Sequence, residues 1–240
     1  MPTQHTVHAY DQELRNLTNL VLQMGGLVET QIAAAIAAVS TRDSESAQKI
    51  VDRDQEIDDL EGEVERLVTR LLALRQPMAI DLRGIIAALR MAGDLERMGD
   101  LAANIAKRSI ALAQSREIIS LWVIPSMAER VQRMVKEVLD AFVEQDLEKA
   151  QAVWASDREV DQMYNGLFRQ LLTYMMEDAR NITPCTHLLF VAKNLERIAD
   201  HATNMAEIIC FRISGERSLG ERPKADDTAT FAGREEEVTE

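Results

Sequence analysis

The sequence contains few of the residues that interrupt helices or favour strands. Among 240 residues there are 10 glycines and 5 prolines, and aromatic residues make up only 4%, whereas strands are usually enriched in aromatic and β-branched residues. Ala, Leu, Glu and Arg are abundant instead, which is typical of long packed helices. The composition therefore predicts an all-α protein, long enough for one large or two modest hydrophobic cores.

Cysteines, a signal peptide and long apolar runs are also lacking. Cys185 and Cys210 are too few for a disulfide framework and do not have the spacing of a zinc site. No basic segment followed by an apolar run opens the chain, and no uninterrupted apolar stretch of about 18 residues occurs. We therefore expect a cytoplasmic protein that does not insert into a membrane.

The net charge of the chain indicates which kinds of molecule it is suited to bind. The formal net charge is −13, which disfavours binding to nucleic acid and adsorption on anionic lipid. The charge suits cations or a basic protein surface, although solubility alone explains it equally well. The sequence has no glycine-rich phosphate loop and no nucleophile elbow. We therefore expect no catalytic residues and no enzymatic activity.

Apolar spacing divides the chain into six long helices. They are predicted at about 10–39, 44–75, 81–112, 125–144, 146–178 and 185–212. Asp43 or Ser44 is expected to cap the second helix, and Pro125 fits the first turn of the fourth. The segment 114–123 is the candidate linker. The predicted units are 9–113, 124–212 and a disordered acidic tail, 213–240.

The sequence repeats itself once. Residues 47–58, AQKIVDRDQEID, recur 103 positions later as AQAVWASDREVD, and residues 92–106, AGDLERMGDLAANIA, recur 100 positions later as AKNLERIADHATNMA. The difference of three falls in a turn, where changes of length are tolerated. Each half then comprises three helices, and the predicted architecture is two tandem three-helix bundles related by internal duplication.

Pairs of acidic residues four positions apart occur twice in each half. Such a pair points in one direction from a helix, and its like charges repel. In the first half, one pair of acidic residues lies 23 positions before and after Pro77, and another pair lies 19 positions before and after it. In the second half, the two corresponding pairs are both centred between residues 178 and 179. Equal distances from a hairpin turn mean equal height, so each half should gather four carboxylates: Asp54, Asp58, Glu96 and Asp100, then Asp157, Asp161, Glu196 and Asp200.

Four carboxylates at close quarters raise one another's pKa. Three outcomes relieve the repulsion: protonation, ion pairs with residues such as Arg97 and Arg197, or bound cations. Carboxylate oxygens suit Mg²⁺, Mn²⁺ or iron, and zinc also accepts them. Asn104 and Asn204, one helical step further on, are possible supporting residues. His201 follows Asp200, but we expect a surface or packing role because its counterpart is Leu101.

The duplicated motifs resemble the signature helix of the PhoU family. The residues that carry the resemblance are DLERMGDLAANIA at 94–106 and NLERIADHATNMA at 194–206, supported by RQPMAIDLR at 75–83 and DRDQEID at 52–58. The resemblance covers about residues 9–212. It implies two three-helix bundles with metal ions, in some members multinuclear, bound by the eight carboxylates named above. Asn181, Asn194 and Ala199 replace Asp81, Asp94 and Gly99, so the two sites are not expected to be equally occupied.

The resemblance also implies a function. Members of the family act as negative regulators of phosphate uptake and of the phosphate-starvation response. They are thought to link the phosphate ABC transporter to the phosphate-sensing histidine kinase at the cytoplasmic face of the inner membrane, and a homodimer is expected. None of this follows from the spacing of residues.

Two alternatives remain open at the level of sequence. The first is a carboxylate-bridged di-metal enzyme, but helical bundles of that type use Glu-x-x-His motifs, and the sequence has none. The second is a purely structural scaffold in which arginines neutralise the carboxylates.

Overall fold

The regular secondary structure of the protein is helical. The computed structural model describes residues 2–115 and 123–215. Its helices are α1 Pro2–Thr41, α2 Ser44–Arg53, α3 Gln55–Arg75, α4 Ala79–Ala113, α5 Val123–Glu144, α6 Leu147–Glu177 and α7 Ile182–Ser214, with a short 3-10 turn at Ala179–Asn181. The all-α prediction is confirmed. The predicted second helix is divided into α2 and α3 at Asp54, which itself keeps helical backbone angles.

Equivalent turns precede α2 and α6. Arg42 and Gln145 have positive φ angles of 57° and 53°, and each comes directly before a capping aspartate. Asp43 accepts hydrogen bonds from the backbone N–H groups of Glu45 and Ser46, and Asp146 accepts one from Lys149. A side-chain oxygen at this position satisfies N–H groups that have no partner within the helix. The duplication therefore extends to the geometry of the turns.

The two halves meet along their third helices. In the first half α1, α2, α3 and α4 pack together, and in the second half α5, α6 and α7 do. Helices α4 and α7 lie antiparallel and in contact. At one end of the pair Arg83 Nε donates to the carbonyl oxygen of Arg212, and towards the other end the Arg108 guanidinium stacks 4.3 Å from the ring centre of Phe190. The prediction of two three-helix bundles is confirmed, and one continuous apolar core joins them.

Helix α1 has an apolar character that the core explains. It is the one described helix that is long and apolar enough to cross a membrane by length and composition, over residues 9–41. Its apolar residues recur every three or four positions and face inward. Examples with no exposed surface are Val21, Met24, Val28 and Ile32. That spacing is typical of the core-facing stripe of an amphipathic helix.

Two sequence predictions fall wholly or partly outside the described residues. Residues 116–122 of the candidate linker lie outside the described residues. Residues 216–240 of the predicted tail also lie outside them. The start of that tail was placed at residue 213, but α7 continues to Ser214. Gly215 then ends the helix with a positive φ of 79°, and its N–H donates to the carbonyl of Phe211.

Candidate functional site

The first carboxylate cluster lies on the hairpin of α3 and α4. Asp100 and Asp58 stand close enough to Asp54 to raise its pKa, and Asp100 and Asp58 do the same to Glu96. Asp54 Oδ1 also lies 3.3 Å from the position of a Cβ added to Gly99, the neighbour of Asp100 on α4, which agrees with the level expected from equal distances to Pro77. The four side chains approach one another from two helices, at the point where α2 passes into α3.

Burial and repulsion act together in this cluster. Asp58 and Asp100 are exposed, whereas Asp54 and Glu96 are partly buried. Loss of hydration is the main cause that raises the pKa of Asp54 and of Glu96, and neighbouring carboxylates add to it. The amide of Gln31 opposes the effect by donating to Asp54 Oδ1 at 3.0 Å. These ionised carboxylates lower the stability of the fold, and a positive charge bound among them would relieve that cost.

A fifth carboxylate, which the repeated spacing of acidic pairs does not predict, belongs to the first cluster. Glu61 lies one turn beyond Asp58 on α3, and the charges of Glu61, Asp58 and Glu96 act on one another. Burial is the main cause that raises the pKa of Glu61. Its Oε1 faces Gly93 of α4, where an added Cβ would lie 3.6 Å away. The sequence feature that could have identified Glu61 is its position three residues after Asp58, on the same face of α3.

The second cluster is more buried than the first. Asp157, Asp161 and Glu196 are 2%, 3% and 5% exposed, and Asp161 and Asp200 both help to raise the pKa of Glu196, after burial as the main cause. The hydroxyl of Thr203 donates to the carbonyl oxygen of Ala199 at 2.9 Å and lies 3.4 Å from Asp157 Oδ1. The structure thus brings together the same four positions as in the first half, but in a drier environment.

Lysine distinguishes the second cluster from the first. Lys193 Nζ lies 2.9 Å from Glu196 Oε2, and the glutamate side chain is only 7% exposed. Glu196 Oε2 has no well-directed hydrogen bond, and the Lys193 ammonium group is its close ion-pair partner. The sequence predicted arginines as neutralising partners, whereas the partner in the structure is this lysine, three positions before the glutamate on the same helix face.

The two asparagines proposed as supporting residues differ in their surroundings, and Asn204 shares a groove with Glu61 and Glu96 of the first cluster. Asn104 is exposed on α4. Asn204 lines a groove of about 530 Å³ between α3, α4 and α7, together with His201 and Glu207. In the described residues no hydrogen bond joins either amide to a candidate carboxylate. Their role as supporting residues stays a prediction.

His201 makes a contact between the halves. Its Nδ1 lies 2.9 Å from Asp94 Oδ1, so that this pair connects α7 with α4. Both side chains are less than one-fifth exposed. The expectation of a packing role for His201 agrees with this contact. Local spacing gave no sign of the partnership with Asp94, because it depends on how the two halves pack.

The clusters offer the chemistry of hard-cation binding. In the parts of the chain that the structure describes, no three or more Asp, Glu, His or Cys side chains form a ready-made metal site. The donors are nevertheless carboxylate oxygens, the ligands that Mg²⁺, Mn²⁺ and iron accept. Asp58 and Asp100 of the first cluster are exposed and can rotate towards a cation. Metal binding by the eight predicted residues therefore stays a prediction.

The fold and the clusters define a class of duplicated helical proteins with an acidic hairpin in each half. A family model described as the PhoU domain matches this chain twice, at residues 21–109 and 124–209. The chain belongs to the PhoU family.

Similar proteins match nearly the whole chain. A phosphate-specific transport system accessory protein PhoU homolog from Caulobacter vibrioides is 52% identical over 225 residues, which are 93% of this chain and 98% of that protein. A protein with the same description from Rhizobium meliloti is 47% identical over 230 residues, 95% and 96% of the two chains. The family resemblance drawn from the motifs is therefore confirmed.

Two crystal structures share the fold. PhoU from Pseudomonas aeruginosa superposes with a TM-score of 0.84 at 39% identity, covering 86% of this chain and all of the other. The phosphate transport system regulatory protein PhoU from Streptococcus pneumoniae gives a TM-score of 0.81 at 31% identity, covering 87% and 99%. The family likeness therefore extends to the arrangement of all the helices that these structures cover.

Proposed function

We propose that this protein is a metal-binding negative regulator of phosphate uptake and of the phosphate-starvation response. It acts as a cytoplasmic adaptor, a homodimer by family resemblance, between the phosphate ABC transporter and the phosphate-sensing histidine kinase at the inner membrane. The observation that carries the proposal is full-length similarity to proteins described as accessory proteins of the phosphate-specific transport system. An accessory protein regulates by contact, so no catalytic residue is assigned.

The surface supports contact with other proteins. Leu74, Met78 and Ile80, at the turn between α3 and α4, are 71%, 81% and 74% exposed. At the turn between α6 and α7, Met176 and Ile182 are 82% and 49% exposed. Large apolar side chains gathered at an exposed turn favour a protein partner. Because α4 and α7 are antiparallel, these two turns lie at opposite ends of the central pair, which suits an adaptor.

The first carboxylate cluster supports the metal-binding part of the proposal. Burial first, and neighbouring carboxylates after it, raise the pKa of Asp54, Glu61 and Glu96. A divalent cation bound between α3 and α4 would offset the repulsion among these charges. Because the ligands come from two helices, the unfolded chain cannot hold them in place, and binding therefore stabilises the folded state.

Thermal unfolding with added metal tests this part. We expect Mn²⁺ or Mg²⁺ to raise the melting temperature of metal-stripped wild-type protein. The variant Glu96→Gln with Asp100→Asn should lose most of this increase, because it removes two oxygen donors with charge. A matched control, Glu56→Gln with Asp59→Asn, removes two exposed carboxylates of α3 outside the cluster and should keep it. Equal increases in all three proteins would contradict metal binding at the first cluster.

Deletion of the gene tests the regulatory part. In phosphate-rich medium, cells without this protein should express phosphate-starvation genes that wild-type cells repress. Reintroduction of the wild-type protein should restore repression, whereas Met78→Asn with Ile80→Asn should restore it poorly if the α3–α4 turn contacts a partner. Normal repression in the deletion strain, with no second PhoU protein in the genome, would refute the regulatory proposal.

A further inference from the structure

Two positions beside the carboxylates differ between the halves, and they differ together. The duplication relates Glu61 of α3 to Tyr164 of α6, and Gly93 of α4 to Lys193 of α7. In the first half, Glu61 Oε1 faces the space beside Gly93. In the second half, Lys193 Nζ lies 5.0 Å from the centre of the Tyr164 ring. The two pairs therefore occupy equivalent places across each hairpin.

These exchanges change the charge of the clusters. The first cluster has five carboxylates and no lysine on the equivalent helix face. The second has four carboxylates and the Lys193 ammonium group, so the two clusters differ by two formal charges. Arg97 does approach the first cluster, with its Nε 3.4 Å from Glu96 Oε2, but this arginine is 64% exposed. Lys107, which also acts on Asp54, is exposed as well. Solvent weakens both interactions.

The ammonium group of Lys193 lies where the second cluster needs a positive charge. It contacts Glu196, one of the three nearly buried carboxylate residues there, and the face of Tyr164 offers it a favourable cation–π interaction. Thr203 places a hydroxyl group 3.4 Å from Asp157 Oδ1, where the first half has Ala103. A divalent cation in this cluster would have to displace or repel the ammonium group. The first cluster imposes no such cost.

We propose that Lys193 is the resident cation of the second cluster and excludes metal from it, so that the first cluster, including Glu61, is the metal site of this chain. The inference rests on the proposed metal binding and adds which half binds and which residue decides. It also explains why the two halves keep the same four carboxylate positions but surround them differently.

Metal titration of the wild-type protein and its variants tests the proposal. The probe is Mn²⁺, followed by calorimetry and by electron paramagnetic resonance on metal-stripped full-length protein. Wild-type binding should be lost in Glu96→Gln with Asp100→Asn and weakened at least about tenfold in Glu61→Gln, because a ligand or nearby charge is removed. Lys193→Gly, which restores the residue of the first half, should add a binding event that Lys193→Arg does not add.

The added event has its own control. In Lys193→Gly it should survive Glu96→Gln with Asp100→Asn and disappear with Glu196→Gln, because it belongs to the second cluster. If wild-type protein already binds Mn²⁺ in a manner that Glu196→Gln abolishes, or if Lys193→Gly adds nothing while the first cluster binds normally, the proposal is overturned.

Absence of Mn²⁺ binding in every variant would refute the proposed metal binding, and a separate measurement then decides the role of Lys193. The stabilities of Lys193→Met, Glu196→Gln and the double variant form a cycle. If Lys193 is the resident cation, the effects of the two single changes are strongly non-additive, because either change removes the same ion pair. Additive effects would overturn the assignment of Lys193 without reference to any metal.

Discussion

Tyr10 joins the beginning of α1 to the beginning of α4. Its hydroxyl donates to Asp81 Oδ2 at 3.1 Å. Burial, this hydrogen bond and the charge of Asp81 raise the pKa of Tyr10 to about 12 from the usual 10.0. The folded state therefore favours the neutral phenol. The stabilisation from this residue is complete below about pH 10, the unfolded value, and is lost as the pH rises towards 12.

Titration of the tyrosines by ultraviolet absorbance should show this effect. We expect the Tyr10 phenol to ionise near pH 12 in the folded protein and its contribution to this late step of the titration to disappear in Tyr10→Phe. The variant should also lose less stability than the wild type between pH 10 and 12. Tyr174→Phe is the control and should keep the late step. A wild-type titration without that late step would contradict the described hydrogen bond.

Sequence alone predicted the residues whose position follows from one helix or one hairpin. Asp54 and Asp100 could be placed at one level because both lie 23 residues from Pro77. Spacing did not reveal Lys193 as a charge partner, since a lysine three positions before a glutamate is common on solvated helices. The ion pair is important because packing around the second cluster buries Glu196, whereas the Lys193 side chain is 38% exposed. Such packing cannot be read from local spacing.

At the scale of helices, α1 and α5 connect the halves through a close approach at a glycine. A Cβ added to Gly25 would lie 2.7 Å from both methyl carbons of Leu139 on α5, and Leu139 is itself only 7% exposed. The neighbouring Gly26 is exposed and has nothing within 4 Å of the same added atom. Two adjacent glycines of one helix thus meet opposite surroundings.

Alanine substitutions at the two glycines should have opposite effects on the free energy of unfolding. Gly25→Ala should lower it by about 1–2 kcal/mol, because overpacking outweighs the gain in helix propensity. Gly26→Ala should raise it by about 0.5–1 kcal/mol, because only the propensity changes. Urea unfolding measures both values. Equal effects would show that α1 and α5 are not in contact at this point.

Most helices were predictable because each carries its own end signals. Asp43 and Pro77 marked ends that the structure confirms within a few residues. The division of the second helix at Asp54 was not predicted, because the segment around it keeps helical spacing and contains neither glycine nor proline. The break falls at Asp54, a candidate ligand. The helical spacing that identified Asp54 as a ligand predicts an uninterrupted helix, so it gave no sign of the break.

At the scale of the whole molecule, the two halves share one core. Helices α4 and α7 pack against each other along their length, and buried residues of both belong to the same apolar cluster, including Met91, Leu95, Val191 and Leu195. Separating the halves would expose these helices on the faces they share. The sequence repeat indicated two bundles correctly, but it contained no information on how one bundle packs on the other.

Calorimetry should therefore show one cooperative transition for the full chain. We expect the calorimetric and van't Hoff enthalpies of unfolding to agree, because neither half keeps its core when the other unfolds. A fragment of residues 1–115 should bind a hydrophobic dye and melt without a sharp transition. Two resolved transitions in the full chain, or a fragment as stable as the whole, would show that the halves fold independently.

The contact between Asp94 and His201 joins residues that only the complete chain contains together. The duplication relates these positions to Asn194 and Leu101, so neither half contains both members of the pair. Two copies of the first half would bring an aspartate opposite a leucine, and two copies of the second would bring an asparagine opposite a histidine. The divergence of the repeats therefore makes the halves unequal at this contact: a symmetric dimer of either half would lack the Asp94–His201 pair that joins α4 to α7.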